Sequence, residues 1–123
     1  MPTLNDRVFD NGLTVLDTEA NRVDICSQEP TTYTAATSTY TLGNTTSISI
    51  SAPTNGDTSG RKVTLAAISG ASVSGTGAAT HYAISDTSNT RLLVTGSLSA
   101  SQSVTSGNTF SLNAVDIELN DPS

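Results

Sequence analysis

The sequence is poor in residues that carry chemistry or link segments covalently. Its 123 residues include no tryptophan, one histidine, one cysteine and one lysine. A single cysteine, Cys26, cannot form an internal disulfide, which argues against a stapled secreted scaffold and fits a reducing compartment. Five basic residues stand against eleven acidic ones, for a formal net charge of −6. Because such a chain repels phosphate backbones and anionic headgroups, we expect no direct nucleic-acid binding and no membrane binding.

Long apolar runs are missing as well. Stretches such as residues 92–94 fall far short of the roughly 18 residues that a membrane helix needs. Residues 1–7 lack the basic start and apolar core of a signal peptide. We therefore expect the protein to be made and folded in the cytoplasm.

Hydroxyl side chains are abundant instead. The chain holds 18 serines and 21 threonines, close to a third of all residues. Threonine is β-branched and fits a pleated surface, whereas serine and threonine in helix interiors compete with the backbone for hydrogen bonds. This composition excludes long helical bundles, and the length corresponds to one domain.

The N-terminal residues carry the best helical periodicity. Their apolar side chains recur at spacings of four, three and four, which predicts a short helix, although Asn11-Gly12 could instead be a turn into a strand over residues 13–16. The stripe consists of Phe9, Leu13, Leu16 and Ala20, with Val8 adjoining it. We predict an N-terminal arm over residues 1–22 that could act as a docking segment, and a single β-sandwich domain over residues 23–123. The candidate interface residues are Val8, Phe9, Leu13 and Leu16.

The remaining chain shows alternating, strand-like patterns separated by Gly and Asn turns. We predict strands near residues 22–27, 47–51, 61–68, 80–85 and 91–99, with an extended loop or irregular edge strand over residues 31–44. The expected shared faces are Val63, Leu65 and Ala67 in one strand, and Leu92, Val94, Gly96 and Leu98 in another. Apolar residues occupy even positions up to Ala114 and odd positions from Val115 onward. This change of apolar phase moves the apolar face to the other side of the strand, which requires a bend or a bulge. The pattern predicts an antiparallel, Ig-like β-sandwich of about six to eight short strands, with a jelly roll as the alternative.

Few residues could support catalysis. A Ser-His-Asp or Cys-His arrangement would have to use His81, and no Gly-x-Ser-x-Gly elbow flanks a serine. We interpret His81 as a surface or interface side chain, and Cys26 as a small buried hydrophobe. We therefore predict no catalytic residues and a protein that is not an enzyme.

The sequence also gives little indication of a metal site or of an isopeptide crosslink. Asp116 and Glu118 share one strand face, where acidic side chains commonly prevent edge-to-edge aggregation. The cluster Asn55, Asp57 and Ser59 lacks the spacing of a calcium loop and is better explained as a turn. An isopeptide crosslink would need a buried lysine, and Lys62 after a turn is expected to be exposed. We predict no metal site and no cofactor.

Several segments resemble a group of small virion proteins of tailed bacteriophages and prophages. They span most of the chain from Val23 onward: residues 24–33 (DICSQEPTTY), 36–43 (ATSTYTLG), 75–83 (GTGAATHYA), 92–98 (LLVTGSL) and 104–110 (VTSGNTF). The resemblance carries no catalytic or ligand site that could be transferred to this chain.

The resemblance implies a structural component of the phage particle. We expect a decoration or minor capsid protein on the particle surface, whose partners are the major capsid protein and copies of itself, as a homo-oligomer or bound to the lattice. Many repeated contacts with a lattice would strengthen individually weak binding. The alternative is a tail- or fibre-associated adhesin that recognises a host surface glycan or protein.

Overall fold

The computed structural model describes residues 5–120. Strands make up 50% and helices 17% of the chain. The predicted mainly-β class, with antiparallel sheets, a sandwich-like fold and a short N-terminal helix, is therefore confirmed. The elements are α1 (Asp6–Glu19), β1 (Arg22–Cys26), a π-helix (Ala35–Thr39), β2 (Thr41–Thr45), β3 (Thr54–Asn55), β4 (Arg61–Leu65), β5 (Ile68–Ser72), β6 (Gly77–Asp86), β7 (Arg91–Val104), β8 (Thr109–Leu112) and β9 (Val115–Leu119).

The chain forms two compact units, which we describe separately. Among the described residues, unit 1 contains residues 5–19, 49–67 and 113–120, and unit 2 contains residues 20–48 and 68–112. The expected division into an arm of residues 1–22 and one domain of residues 23–123 stays a prediction.

Helix α1 in unit 1 begins at a capped end and buries the predicted stripe. The Oδ1 atom of Asn5 accepts a hydrogen bond from the backbone N–H of Arg7 at 2.9 Å, which satisfies a donor that the helix leaves unpaired. Phe9, Leu13 and Leu16 are buried. Each contributes about 2 kcal/mol by leaving water, which outweighs the roughly 1 kcal/mol that a glycine costs inside a helix. The helix, and not the Asn-Gly turn, is therefore the structure adopted.

The sheet of unit 1 has the strand order β3-β4-β9, with antiparallel pairing throughout. Alternation along β4 buries Val63 and Leu65 completely, on the face against which α1 packs. Arg61 joins the two elements, because its Nε atom lies 2.9 Å from Oδ1 of Asp10 in the helix.

Unit 2 contains a four-stranded sheet of order β2-β1-β6-β7 and a two-stranded sheet of β5 and β8. Val23, Ile25 and Ile84 are fully buried in the central strands β1 and β6. Phe110 from β8 lies against Gly43 of β2, where an added Cβ atom would be only 3.0 Å from the Phe110 ring. The glycine thus permits close packing between the two sheets.

The strands predicted near residues 80–85 and 91–99 are present as β6 and β7, which form an antiparallel hairpin with two bulges in its register. Leu93 is an extra residue between the pairs Ile84–Val94 and Ser85–Leu92, and Thr80 lies opposite four residues of β7, 98–101. Because cross-strand partners share a face, Leu92 lies with Ser85 and Val94 with Ile84, on opposite faces. The expectation that Leu92, Val94, Gly96 and Leu98 share one face is therefore wrong.

The segment over residues 31–44 contains the π-helix and β2. Because β2 is an edge strand with an irregular register, the predicted edge strand is confirmed for residues 41–44, whereas an extended loop does not describe residues 35–39. Hydroxyl groups stabilise the helical turns: Thr32 Oγ1 accepts from the Ala35 N–H at 3.0 Å, and Thr37 Oγ1 donates to the Tyr33 carbonyl at 2.8 Å. Ala36 is buried against Cys26. The sequence pattern missed this segment because its contacts come from small side chains.

Two predicted strands are shorter than expected. Residues 47–51 form a single bridge, Ile50 to Leu65, because the Thr64 N–H donates to the Ser51 hydroxyl at 3.0 Å and not to its carbonyl. The strand expected over residues 61–68 ends at Leu65, and Ala67 is exposed. There the chain leaves unit 1 and enters unit 2.

The predicted break between Ala114 and Val115 is confirmed. Strand β8 ends at Leu112 and pairs with β5, whereas β9 starts at Val115 and pairs with β4. The change of apolar phase thus marks the point where the chain moves from one sheet to another.

We predict that Gly60→Ala destabilises the protein more than Gly70→Ala. Both glycines have positive φ values, 67° and 70°, so alanine costs about 1–2 kcal/mol at either position. At Gly60 the new Cβ atom would also collide with the carbonyl oxygen of Leu119, whereas nothing lies within 4 Å at Gly70. The collision adds about 1–3 kcal/mol. Chemical denaturation measures both losses, and equal losses would contradict the prediction.

Candidate contact surface and buried polar sites

Three large aliphatic side chains of unit 1 are exposed on helix α1 or close to it. Val8 and Val15 are 58% and 37% exposed and lie seven residues apart, close to two turns, on one side of α1. Leu119 of β9 is 40% exposed, and its Cδ1 atom lies 3.8 Å from the position that a Gly12 Cβ atom would occupy. We call Val8, Gly12, Val15 and Leu119 the helix patch.

The structure separates the four predicted interface residues into two groups. Phe9, Leu13 and Leu16 are 3%, 2% and 7% exposed, so they belong to the core, whereas Val8 belongs to the helix patch. The interface role stays a prediction. Sequence reasoning missed Val15, although its spacing from Val8 is a helical signal, and it missed Leu119 because only the fold brings β9 to the helix.

A fully buried carboxylate lies in the central strand β1 of unit 2. Asp24 has a side-chain exposure of 0% and receives two hydrogen bonds from Arg22, at 2.8 and 3.0 Å. Thr41 donates a third at 2.7 Å. The same carboxylate raises the pKa of Arg22 through the side-chain hydrogen bond. The sequence could have indicated this ion pair, because Arg22 and Asp24 are two residues apart in a predicted strand and residues so spaced share a face.

Cys26 lies two residues further along the same strand face and is confirmed as a buried hydrophobe. Its Sγ atom is 3.7 Å from the Ala36 carbonyl oxygen. Burial, together with the charge of Asp24, raises the pKa of Cys26 to about 12. The thiol therefore stays protonated near neutral pH, which does not suit a nucleophile.

His81 is half-buried and lies among hydroxyl groups. Its Nδ1 atom is 2.9 Å from Thr80 Oγ1, which itself donates to the Ser27 carbonyl at 3.0 Å. The hydroxyl oxygen of Thr80 can then accept from Nδ1–H, which leaves Nε2 to accept from Ser97 Oγ at 3.4 Å. The partner at Nδ1 is a hydroxyl, whereas a hydrolytic triad uses a carboxylate there. This arrangement anchors the imidazole between two strands.

Asp116 of β9 and Asp57 of the loop before β4 form a network with one lysine. Lys62 Nζ lies 2.7 Å from Asp57 Oδ1 and 3.2 Å from Asp116 Oδ2. These hydrogen bonds raise the pKa of Lys62, and bonds from Thr64 and Lys62 lower the pKa of Asp116. A protonated amine cannot attack a carboxamide, so this geometry opposes an isopeptide crosslink. Glu118 accepts from the Thr58 N–H at 3.2 Å, which ties the turn to the strand.

Asp86 fixes the turn that follows β6. It is 2% exposed and accepts from the Asn89 side chain at 2.8 Å and the Ser88 N–H at 3.0 Å. The bond from Asn89 is the main reason why the pKa of Asp86 is lowered. The turn between β6 and β7 is thus organised by a buried carboxylate that the sequence pattern did not single out.

A shallow, open groove of about 360 Å³ lies between residues 29–31 and residues 92–95 of unit 2. Its lining combines Glu29 with proline, leucine, valine and threonine side chains. The extra residue Leu93 is part of the groove wall.

Within residues 5–120, no three histidine, cysteine, aspartate or glutamate side chains are grouped so that they could hold a metal ion. Over the same described part of the chain, no helix has the length and apolar character needed to span a membrane. Comparisons with protein-family models, with curated proteins and with solved structures give no significant match to this chain.

We predict that Arg22→Met is far more destabilising than Arg61→Met. Both arginines bind an aspartate through two hydrogen bonds, but Asp24 is fully buried whereas Asp10 is 34% exposed. Removing Arg22 leaves an uncompensated buried charge, at a cost of about 3–5 kcal/mol. Removing Arg61 leaves Asp10 partly open to water, so the loss should be smaller. Denaturant titration measures both losses. The double variant Arg22→Met/Asp24→Leu should recover most of the loss, and equal losses in the two single variants would contradict this account.

We predict that Cys26 is inert toward thiol reagents in the folded protein. With a pKa of about 12, roughly one thiol in ten thousand is ionised at pH 8. Labelling with a maleimide or a disulfide reagent should be negligible in buffer and complete in denaturant. Labelling of the folded protein at the denatured rate would disprove the burial of this thiol.

Proposed function

We propose that this chain is a noncatalytic structural protein of a tailed-bacteriophage particle. It binds the outside of the capsid as a decoration or minor capsid protein, through contacts with the major capsid protein and with copies of itself. In this proposal the chain is made in the host cytoplasm, needs no cofactor, and acts as a homo-oligomer or as a lattice-bound subunit.

The observation that carries this proposal is the helix patch. Aliphatic side chains grouped on a surface and rimmed by polar residues are typical of protein contact sites. Helix α1 holds Val8 and Val15 rigidly, because Phe9, Leu13 and Leu16 are buried beneath them and Asp10 is paired with Arg61. The patch is therefore preorganised, which lowers the entropy lost on binding.

The size of the patch favours a partner that presents many sites. Three aliphatic side chains support only a weak contact, whereas a repeated array of copies converts weak contacts into durable attachment. The net charge of −6 favours a protein surface over nucleic acid as the target. The phage-like segments in the sequence support the same proposal.

The test compares two charge variants for their attachment to particles. Val8→Asp/Val15→Asp adds two charges to the helix patch, and Ala78→Asp/Ala100→Asp adds two charges at exposed positions of unit 2. Particles are produced in a host that supplies each variant, purified by density, and assayed for bound chain by mass spectrometry. Because each buried valine contributes about 1.5 kcal/mol or more, we expect the patch variant to bind at least about a hundredfold more weakly. The control should bind like the unmodified chain.

Thermal unfolding of both variants checks that they are folded. Immunogold labelling of intact particles then distinguishes the alternatives. Gold on heads supports the proposal, whereas gold confined to tails supports an adhesin. Particles without the chain would reject both, and full attachment of the patch variant would reject the helix patch as the contact.

A further inference from the structure

The chain contains two Asn-Gly steps in different structural environments. Asn11 and Gly12 lie in the middle of helix α1, whereas Asn55 is the last residue of β3 and Gly56 begins the loop to β4. The same dipeptide therefore occurs once in a helix and once at an exposed hairpin.

Asn-Gly steps can undergo a defined intramolecular reaction. The backbone nitrogen of the glycine, after losing its proton, attacks the side-chain carbonyl carbon of the asparagine, and ammonia leaves as a cyclic imide forms. Water then opens the imide at either carbonyl, which gives an aspartyl or an isoaspartyl residue. Glycine favours the first step because it has no Cβ atom to obstruct the approach.

The surroundings of Asn55 assist this reaction. The side chain is exposed, so ammonia can leave and water can enter. Arg61 Nη1 donates to Asn55 Oδ1 at 2.7 Å, which places a positive charge where negative charge develops during the attack. One hydrogen bond, from the Gly56 N–H to the Gly60 carbonyl at 2.9 Å, must open first. Opening an exposed loop in this way costs little free energy.

The surroundings of Asn11 oppose it. Helical dihedral angles hold the nitrogen of Gly12 away from the Asn11 side chain, and that nitrogen belongs to the hydrogen-bonded interior of α1. Ring closure would require the middle of the helix to open. Phe9, Leu13 and Leu16 would then lose their burial in the core. Such opening is rare in a helix whose apolar face is packed.

We propose that Asn55 is a site of spontaneous deamidation in the folded protein and that Asn11 is protected. The two products differ in their effect. An aspartyl carboxylate keeps the contact with Arg61 and strengthens it, because the bond becomes charge-assisted on both sides. An isoaspartyl residue lengthens the backbone and separates the pairs Thr54–Lys62 and Asn55–Arg61 that define β3.

The test is ageing of the folded chain in mildly alkaline buffer, followed by peptide mass analysis. Trypsin cleavage after Arg7, Arg22 and Arg61 places Asn11 and Asn55 in separate peptides. We expect the mass change from amide to carboxyl to occur at Asn55 at a rate at least about tenfold higher than at Asn11. In denaturant the two rates should become similar. Asn55→Gln should abolish the change, since a six-membered ring closes more slowly, and Asn55→Asp should leave β3 intact.

Two results would overturn the proposal. One is modification of Asn11 in the folded chain at a rate similar to that of Asn55. The other is an unmodified Asn55 in the folded chain over a period in which the denatured chain converts.

Discussion

The buried carboxylate of Asp24 is the constraint on which the larger unit depends. A charge at 0% exposure is tolerated only when it is paired and fully hydrogen-bonded. Its partners come from β1 and β2, and Arg22 reaches further to the Thr37 carbonyl at 3.3 Å. The ion pair therefore fixes the register of two strands and the position of the π-helix. Beneath that segment, Cys26 and Ala36 pack together out of water.

A comparable link organises unit 1, with different consequences. Arg61 connects Asp10 of the helix to the Asn55 side chain of β3, so one guanidinium holds the helix and the hairpin together. Once the core face of α1 is turned inward, Val8 and Val15 must face outward. The core packing of this unit thereby determines where the exposed apolar side chains lie. The same guanidinium brings a positive charge to Asn55.

Local patterns in the sequence predicted the elements better than their connections. The helical stripe and the phase change at Ala114 were predictable, because each depends on spacing along a short segment. The bulge at Leu93 depends on pairing with β6, and the strand break after Leu65 depends on which sheet follows, so neither has a local signal. For the candidate site, Val8 was identified, whereas Leu119 joins the patch only through the fold.

Electron cryomicroscopy of intact particles tests the central claim most directly. If the chain is a capsid accessory protein, its density lies on the outer surface of the head in a lattice-ordered array, with the first helix turned toward the shell or toward a neighbouring copy. Density found solely on the tail, or a head surface that is identical with and without the gene, would contradict the account.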